Sequence, residues 1–399
     1  MLRTQRPILI RLFNRLPIQV NLDADRLMES ACKKTGLNDF GEGNLKEALS
    51  RLIEAINKEA NLHLFGRFIT KERILNVLQN RLHVEDTFKR FPEIAEIEIK
   101  APIVITGLQR TGTTRLHRLL AAHPNVRSLS SWEALNPAPL PRDANNKKRK
   151  SFAKTAERAL RFMSPDFFAI HPVEFEAPEE DVLLNDMTFL SAVSEATMNV
   201  PSYASWVANQ DPVFPYRYMK RILQLLQWQN PKDRWVLKTP EHLGNMYAIT
   251  EVFPDVKLIH TYRNPLEVIP SFSSMVYYSN RIFSDEVNAE KLAKHWMQKD
   301  VDMLQSAFDF WHKHPSQQIL HVSYLDMVKD YQGQLNRIME FTGLTWGAQE
   351  QMQVQQLNNK NVQHKFGVHK YSLDDFKLSK EEVLKAFDFY YEKFNLKND

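Results

Sequence analysis

"PIVITGLQRTGTTRLHRLL", residues 102–120, begins with an apolar run, turns through Gly107 and Gly112, and continues as a helical pattern. The apolar run predicts a buried strand, and the residues after the second glycine predict a helix. A glycine-rich turn between a strand and a helix directs backbone N–H groups and the helix dipole towards an anion. The stretch therefore predicts an anion-binding loop in an α/β fold.

The loop lacks the lysine of a nucleoside-triphosphate site. Gly107 and Gly112 have the spacing of the Walker A pattern, but Thr113 stands where that pattern has lysine. The cation lies inside the turn instead, at Arg110, and Thr111 and Thr114 add hydroxyl groups. This arrangement suits an oxyanion held by several donors and argues against Mg²⁺-dependent phosphoryl transfer.

The pattern around the loop predicts an α/β core with a parallel sheet. Apolar runs alternate with helical stretches, at residues 103–106, 234–238, 257–262 and 318–324. Such alternation is typical of strands joined by crossover helices, so we expect a P-loop-like, three-layer α/β/α fold. Ligands of these sheets bind beyond the carboxyl ends of the strands, where the loops after Thr106, Lys238 and Tyr262 should converge.

The rest of the chain is predicted to be helical. Residues 1–100 show helical periodicity and form an expected N-terminal preface to an α/β domain over residues 101–399. Residues 140–230 are richer in proline and aromatic residues and lack strand-like spacing. We expect them to form a helical insertion that covers the site as a lid, with aromatic side chains suited to an apolar pocket.

Composition narrows the classes of protein. The 399 residues include 43% hydrophobic and 25% charged residues, as in an ordinary globular protein, and one cysteine, Cys32, which suits the cytoplasm. A net charge of +4 is too small to indicate nucleic-acid binding, and no apolar run is long enough to span a membrane. The basic opening "MLRTQRPILIRLFNRL" predicts an amphipathic helix that either packs on the core or contacts a membrane surface.

A second anion site is predicted after the third strand of the pattern, in "LIHTYRNPLEVIPSFSSM". Arg263 follows the strand, Asn264 and Pro265 begin a helix, and Ser271 lies two turns into it. A guanidinium at the mouth of the helix and a hydroxyl farther along could bracket one phosphate. Together with the first loop, this pattern predicts two anion-binding sites beside one edge of the sheet.

These residues resemble those of sulfotransferases that use 3′-phosphoadenosine 5′-phosphosulfate (PAPS), in particular the bacterial-type sulfotransferase family. The resemblance rests on "GLQRTGTTRLHRLLAAHP", "SWEALNP", "PEED", "VLKTPEHL", "HTYRNPLEVIPSFSSM" and "HKYSLDDF" and covers nearly the whole chain. It implies that the 5′-phosphosulfate is held by Arg110, Thr111, Gly112, Thr113 and Thr114. It also implies the 3′-phosphate at Arg263 and Ser271, adenine near Tyr324, and a closing segment with Lys365 and Gly367.

Three catalytic residues follow from this resemblance and from position. Lys238 ends a strand between the two anion sites and resembles the lysine of a K-T-H motif, although Pro240 replaces the histidine of that motif. Glu133 resembles the catalytic glutamate of carbohydrate-type sulfotransferases, with pairing to Arg110 or Arg127 as the alternative role. His171 is the second candidate for the general base.

The sequence thus predicts a PAPS-dependent sulfotransferase that acts on a hydroxyl of a small, hydrophobic acceptor, such as an alcohol, phenol, sterol or lipid. The moving sulfonate carries less charge than a phosphoryl group, so no metal is predicted. Two other functions stay open at this point. One is a P-loop nucleotide kinase or NTPase, and the other is a nucleotide binder on the same fold without catalysis.

Overall fold

A sheet of five parallel strands forms the centre of the molecule. The structure is a computed structural model that describes residues 6–360 and 371–397. The strands are β1 (Ile103–Gly107), β2 (Val126–Ser128), β3 (Arg234–Lys238), β4 (Lys257–Tyr262) and β5 (Ile319–Ser323). Their spatial order is β2-β3-β1-β4-β5, and every neighbouring pair is parallel. The predicted strands are therefore confirmed, and β2 is an addition that its three residues are too short to signal.

Helices account for most of the remaining described chain. In chain order the α-helices of the described residues are α1 (Ile8–Phe13), α2 (Ala24–Thr35), α3 (Leu45–Glu59), α4 (Leu64–Arg90), α5 (Thr113–Ala121), α6 (Ser131–Leu135), α7 (Lys147–Met163), α8 (Pro165–Ile170), α9 (Val182–Asn185), α10 (Val193–Thr197), α11 (Pro201–Ala208), α12 (Val213–Gln229), α13 (Met246–Val252), α14 (Pro265–Phe283), α15 (Ala289–Lys313), α16 (Tyr324–Lys329), α17 (Tyr331–Thr342), α18 (Ala348–Lys360), α19 (Lys380–Ala386) and α20 (Asp388–Phe394). Short 3₁₀ segments cover Pro92–Glu96, Ala144–Asn146, Asp186–Thr188, Pro240–Asn245 and Leu373–Phe376. None of the helices in this described part is long and apolar enough to cross a bilayer.

The strands are buried on both faces, as the apolar runs predict. Side chains alternate across a strand, so Val104 of β1 joins one apolar cluster whereas Ile103 and Ile105 join another. The second cluster also contains Leu116 of α5 and Ile338 of α17. Helices therefore cover each face, and the three-layer α/β/α fold is confirmed.

The first hundred residues pack into the larger of these two clusters. Leu49 and Ile56 of α3 and Leu78 of α4 belong to the same cluster as Val104 of the central strand. The Asp23 side chain caps α2 by accepting a hydrogen bond from the Arg26 N–H at 2.9 Å. The N-terminal helices thus share a continuous core with the sheet, and the domain boundary at residue 100 stays a prediction.

The region 140–230 contains helices α7 to α12 and contributes no strand to the sheet in its described residues. Several of its aromatic side chains serve the core. Tyr203 is fully buried, and its hydroxyl donates to the Phe189 carbonyl oxygen at 2.6 Å. The helices surround a cavity at the carboxyl end of the sheet, which is the feature that makes this region relevant to function.

Candidate active site

The loop between β1 and α5 has a geometry that requires its glycines. Gly107 has φ of 142°, and a Cβ atom there would lie 2.2 Å from the Thr261 carbonyl oxygen. Gly112 has φ of 90°, and a Cβ atom there would lie 2.9 Å from Tyr324 Cδ2. As the N-cap of α5, Gly112 has no side chain to cap the first backbone N–H groups of the helix. These donors suit an anion at the helix N-terminus.

Arg110 is the main cation of this loop. Its guanidinium donates from Nε to Ser271 Oγ at 3.1 Å and from Nη1 to the Ile170 carbonyl oxygen at 3.3 Å. Within the described chain, no carboxylate forms a salt bridge with it. Burial lowers the pKa of Arg110, because its charge is removed from water. The residue also has φ of 65°, a strained conformation that often accompanies function. A partly buried guanidinium without a carboxylate partner suits an anion.

Arg263 contacts Arg110, so the two predicted anion sites are adjacent. Its Nη1 donates to the Arg110 carbonyl oxygen at 3.0 Å, and its Nε donates to Glu267 Oε2 at 2.8 Å. The guanidinium carbon lies 4.1 Å from the ring centroid of Tyr324. Because Arg110 also contacts Ser271, four residues predicted for the nucleotide are in one contiguous cluster.

The threonines of the loop divide into two groups. Thr111 is buried, and its hydroxyl donates to the Leu108 carbonyl oxygen at 2.6 Å and lies 2.6 Å from Thr261 Oγ1. These bonds hold the loop in shape. Thr113 and Thr114 instead line the cavity, so their hydroxyl groups can face a ligand.

Lys238 lies at the end of β3, as the sequence predicts, and 2% of its surface is exposed. Its ammonium donates to Glu180 Oε1 at 2.5 Å and to Thr114 Oγ1 at 3.4 Å. The lysine therefore connects the anion-binding loop to a carboxylate that the sequence did not single out as catalytic. Electrostatic interactions of this buried ion pair, at the carboxyl edge of the sheet, are stronger than they would be in water.

Glu180 is the carboxylate that sequence reasoning missed. Asp181, the N-cap residue of α9, makes no side-chain cap bond, and Glu180 contacts Lys238 and Thr239. Burial opposes ionisation of Glu180, but Lys238, His171 and two hydrogen bonds outweigh burial and lower its pKa. Burial raises the pKa of the adjacent Glu179 carboxyl. Adjacent carboxyl groups whose pKa values are shifted in opposite directions are typical of acid–base sites.

His171, the second candidate base, lies beside this pair. It follows α8 and lines the same cavity as Glu180 and Thr114. Burial lowers its pKa to about 4, with Lys238 and Arg110 adding to the decrease and Glu180 opposing it. The imidazole is consequently neutral near pH 7 and chemically able to accept a proton.

Glu133 occupies a different environment. Its Oε1 accepts from Arg127 Nη2 at 2.6 Å, and its Oε2 accepts from the Ser130 hydroxyl at 2.7 Å as part of a capping box for α6. It is not among the residues that line the cavity. The contact with Arg127 is the alternative role that the sequence left open, and the contact gives this carboxylate a structural function.

The predicted closing segment gives less information. Lys365 and Gly367 lie outside the described residues, so their cofactor role stays a prediction. Among the residues that are described, no group of three or more His, Cys, Asp or Glu side chains is arranged to hold a metal ion.

A cavity of about 1110 Å³ opens from the anion-binding loop. Its inner end is formed by Arg110, Thr114, His171 and Glu180. Beyond them the wall consists mostly of aliphatic and small side chains from four helices, including Ala153, Ala156, Leu160, Val193, Ala204, Val207, Ala208, Met275 and Val276. Few aromatic residues line it, and two of these, Phe272 and Trp296, come from outside the predicted insertion. The cavity is large enough for a ligand of drug size or greater.

Comparison with known proteins assigns the chain to a family. The sequence model of the sulfotransferase family matches residues 102–348. A curated relative, the omega-hydroxy-beta-dihydromenaquinone-9 sulfotransferase Stf3 of Mycobacterium bovis, is 25% identical over 252 residues. That match covers 61% of this chain and 63% of the relative's length.

Two crystal structures are similar over almost the entire chain. Sulfotransferase STF1 from Mycobacterium tuberculosis H37Rv is 30% identical, with a TM-score of 0.81 and coverage of 93% of this chain and 99% of that one. Sulfotransferase STF9 from Mycobacterium avium shares the fold, with a TM-score of 0.85 at 23% identity over 96% of this chain and 99% of that one.

Proposed function

The chain belongs to the sulfotransferase family, and from that premise we propose that it transfers a sulfuryl group from PAPS to a hydroxyl of an elongated, apolar acceptor. The observation that carries the proposal is the position of Lys238 and Glu180 between the anion-binding loop and a large apolar cavity. A donor with two anionic ends fits one side of this pair. An acceptor with an apolar body fits the other side.

The residues around the loop suit the donor. Gly107 and Gly112 leave a cradle that a Cβ atom would fill, and Arg110 supplies a guanidinium with no carboxylate partner among the described residues. We assign the 5′-phosphosulfate to this loop with Thr113 and Thr114, and the 3′-phosphate to Arg263 and Ser271. When bound, PAPS supplies an activated sulfuryl group and a phosphate leaving group. Tyr324, packed on Gly112 and Arg263, is the residue we assign to the adenine side.

Glu180 is the general base in this proposal. Its lowered pKa keeps the carboxylate ionised at neutral pH, so it can accept the proton of an acceptor hydroxyl that enters from the cavity. Lys238 holds that carboxylate in place and provides the positive charge that stabilises the developing negative charge on the leaving oxygen. Glu133, the base predicted from sequence, has the weaker support because its oxygens bind Arg127 and Ser130.

The cavity defines the class of acceptor. Its aliphatic wall favours a long or bulky apolar body, with the reacting hydroxyl at the end near Glu180 and His171. The mycobacterial relative is named for a hydroxylated dihydromenaquinone. We propose the same broad class for this chain, an apolar lipid-like alcohol, and we expect charged sugars to be poor acceptors.

Calorimetric titration separates this function from the two alternatives. 3′-Phosphoadenosine 5′-phosphate should bind far more tightly than adenosine 5′-phosphate, because only the former carries the 3′ group for Arg263 and Ser271. If ATP with Mg²⁺ binds equally well or better, a nucleotide kinase becomes the leading function. Transfer is then measured with ³⁵S-labelled PAPS and a series of alcohols of increasing chain length. Tight binding without transfer to any alcohol would support a non-catalytic binder.

A further inference from the structure

Most exposed large apolar side chains of the described residues belong to a few segments of the chain. Of the twelve such side chains in the described residues, eight belong to the N-terminal segment, to the helix beneath it, or to α7. They are Ile8, Leu9, Leu12, Leu16, Ile18, Phe68, Phe152 and Phe162. Apolar residues clustered in this way indicate a contact surface, whereas scattered ones do not.

The N-terminal segment presents its apolar face to solvent. Only Ile10 of α1 is buried, whereas Leu9 is 67% exposed and Leu12 is 54% exposed. The segment is anchored by Phe13, whose ring packs against Phe65 at 5.5 Å between centroids. The sequence has four arginines and no acidic residue before Asp23. A small basic segment with outward leucines is typical of a membrane interface.

Helix α7 has a similar outer face. The helix contains seven basic residues, of which all but the buried Arg149 are at least partly exposed, and one acidic residue, Glu157, which forms an ion pair with Arg161 at 3.1 Å. A stripe of exposed residues at helical spacing runs along it, formed by Lys148, Phe152, Thr155, Ala159 and Phe162. The opposite face of α7 lines the cavity through Ala153, Ala156 and Leu160. One helix therefore separates the apolar cavity from a basic, partly apolar surface.

The two segments adjoin each other. Arg6, which precedes α1, lines the same small surface depression as Met163 at the end of α7. Arg6 is held there by Asp285 and by the Arg281 and Ser284 carbonyl oxygens. The exposed residues of positions 8–18 and the outer stripe of α7 are called the α1–α7 surface below.

We propose that the α1–α7 surface docks on a bilayer that contains anionic lipids. Its leucine and phenylalanine side chains suit the acyl boundary, and its lysines and arginines suit lipid phosphates. A second copy of the chain fits less well, since a two-fold contact would place the basic face of α7 against itself. Docking also brings the cavity wall next to the bilayer. An apolar acceptor would be dissolved there, a consequence that rests on the proposed function.

Vesicle sedimentation tests the surface without donor or acceptor. The full chain is mixed with vesicles of phosphatidylcholine alone and of phosphatidylcholine with phosphatidylglycerol. We expect binding to the anionic vesicles, and we expect Leu9→Glu/Leu12→Glu and Lys148→Glu/Arg158→Glu each to weaken it on the order of 10-fold or more. The matched control is Tyr247→Glu/Leu325→Glu, at residues 59% and 54% exposed outside this surface, which should bind as the unchanged chain does. Circular dichroism confirms that each variant is folded.

Each outcome bears on a different claim. An unchanged chain that stays in the supernatant with anionic vesicles, or surface variants that bind as well as it does, would overturn the docking proposal. A dimer that dissociates in Leu9→Glu/Leu12→Glu, without vesicle binding, would assign the surface to a second copy. Vesicle binding by a chain that transfers no sulfuryl group would leave the docking proposal standing and refute the proposed function alone.

Discussion

The two ends of the cavity are built on different principles. At the inner end, charged side chains lie on or beside strand termini and are fixed by short contacts, such as Lys238 with Glu180 at 2.5 Å and Arg110 with Ser271 at 3.1 Å. Along the outer wall, most lining side chains of α7, α11 and α14 are aliphatic or small, with Glu157 and Phe272 as exceptions. The inner end can therefore hold charge with precision, whereas this part of the wall selects mainly by shape and by apolar area.

This contrast indicates where substitutions should act. Changes at the inner end should affect the chemical step or donor affinity for every acceptor. Changes in the wall should alter which acceptors are used and leave the donor unaffected. The following predictions test that division, beginning with the largest expected effect.

Glu180→Gln should reduce turnover by about 10³-fold, because the amide cannot accept the acceptor proton. Affinity for 3′-phosphoadenosine 5′-phosphate should change little. The matched control is Glu133→Gln, which breaks a buried pair with Arg127 and should lower the free energy of unfolding by about 3 to 5 kcal/mol while the folded fraction stays active. Single-turnover kinetics and thermal unfolding separate the two effects. If Glu133→Gln loses turnover and Glu180→Gln does not, the base is Glu133, as first predicted.

Arg110→Ala should weaken nucleotide binding by roughly 2 to 5 kcal/mol, because a partly buried charge that is proposed to face the donor anion is removed. Arg118→Ala is the control. Arg118 pairs with the half-exposed Glu174 at 3.3 Å. Removal of its side chain should change the free energy of nucleotide binding by about 1 kcal/mol or less. Calorimetric titration with 3′-phosphoadenosine 5′-phosphate measures both. Equal losses in the two variants would mean that the loop does not hold the nucleotide.

Ala204→Trp should narrow the cavity wall and raise KM for the longest alcohols roughly 10-fold, since the indole would occupy space that the acceptor body needs. Short alcohols and the nucleotide should bind as before. Ala159→Trp, on the exposed face of α7, adds the same side chain outside the cavity and should have no such effect. A uniform loss of activity for all chain lengths would contradict the division between chemistry and wall.

The smallest expected effect concerns pH. A general base must be ionised, and the pKa of Glu180 is below its ordinary value, so kcat/KM should fall only when the pH drops below the ordinary carboxyl range near ~4.3. The Thr239 hydroxyl donates a hydrogen bond of 3.4 Å to Glu180 Oε2, which stabilises the ionised carboxylate. Thr239→Val removes this bond and should move the acid limb of the profile to higher pH. The limb is measured from pH–rate profiles with one acceptor. An acid limb near pH 6 to 7 in the unchanged chain would exclude Glu180 as the base.

Much of the inner end was predictable from local sequence. The turn needs glycine at 107 and 112 because a Cβ atom would collide with Thr261 or Tyr324, and the pattern of the turn reflects that need directly. Arg263 and Ser271 were also identified, since a strand end followed by a helix start fixes their approximate separation. What escaped prediction was the partner of Lys238. Glu180 was not identified as that partner because the contact joins positions 58 residues apart.

The parallel α/β core and the glycine turn with its cation Arg110 could be read from the sequence alone, because each depends on apolar periodicity or on residues a few positions apart. Which carboxylate faces Lys238 and which faces Arg127 depends on how the chain folds. The tertiary structure also decided that one side of α7 lines the cavity while the other side is exposed. Glutamates are chemically identical in a sequence, and their roles differ only through the charges and the burial that the folded chain brings to each.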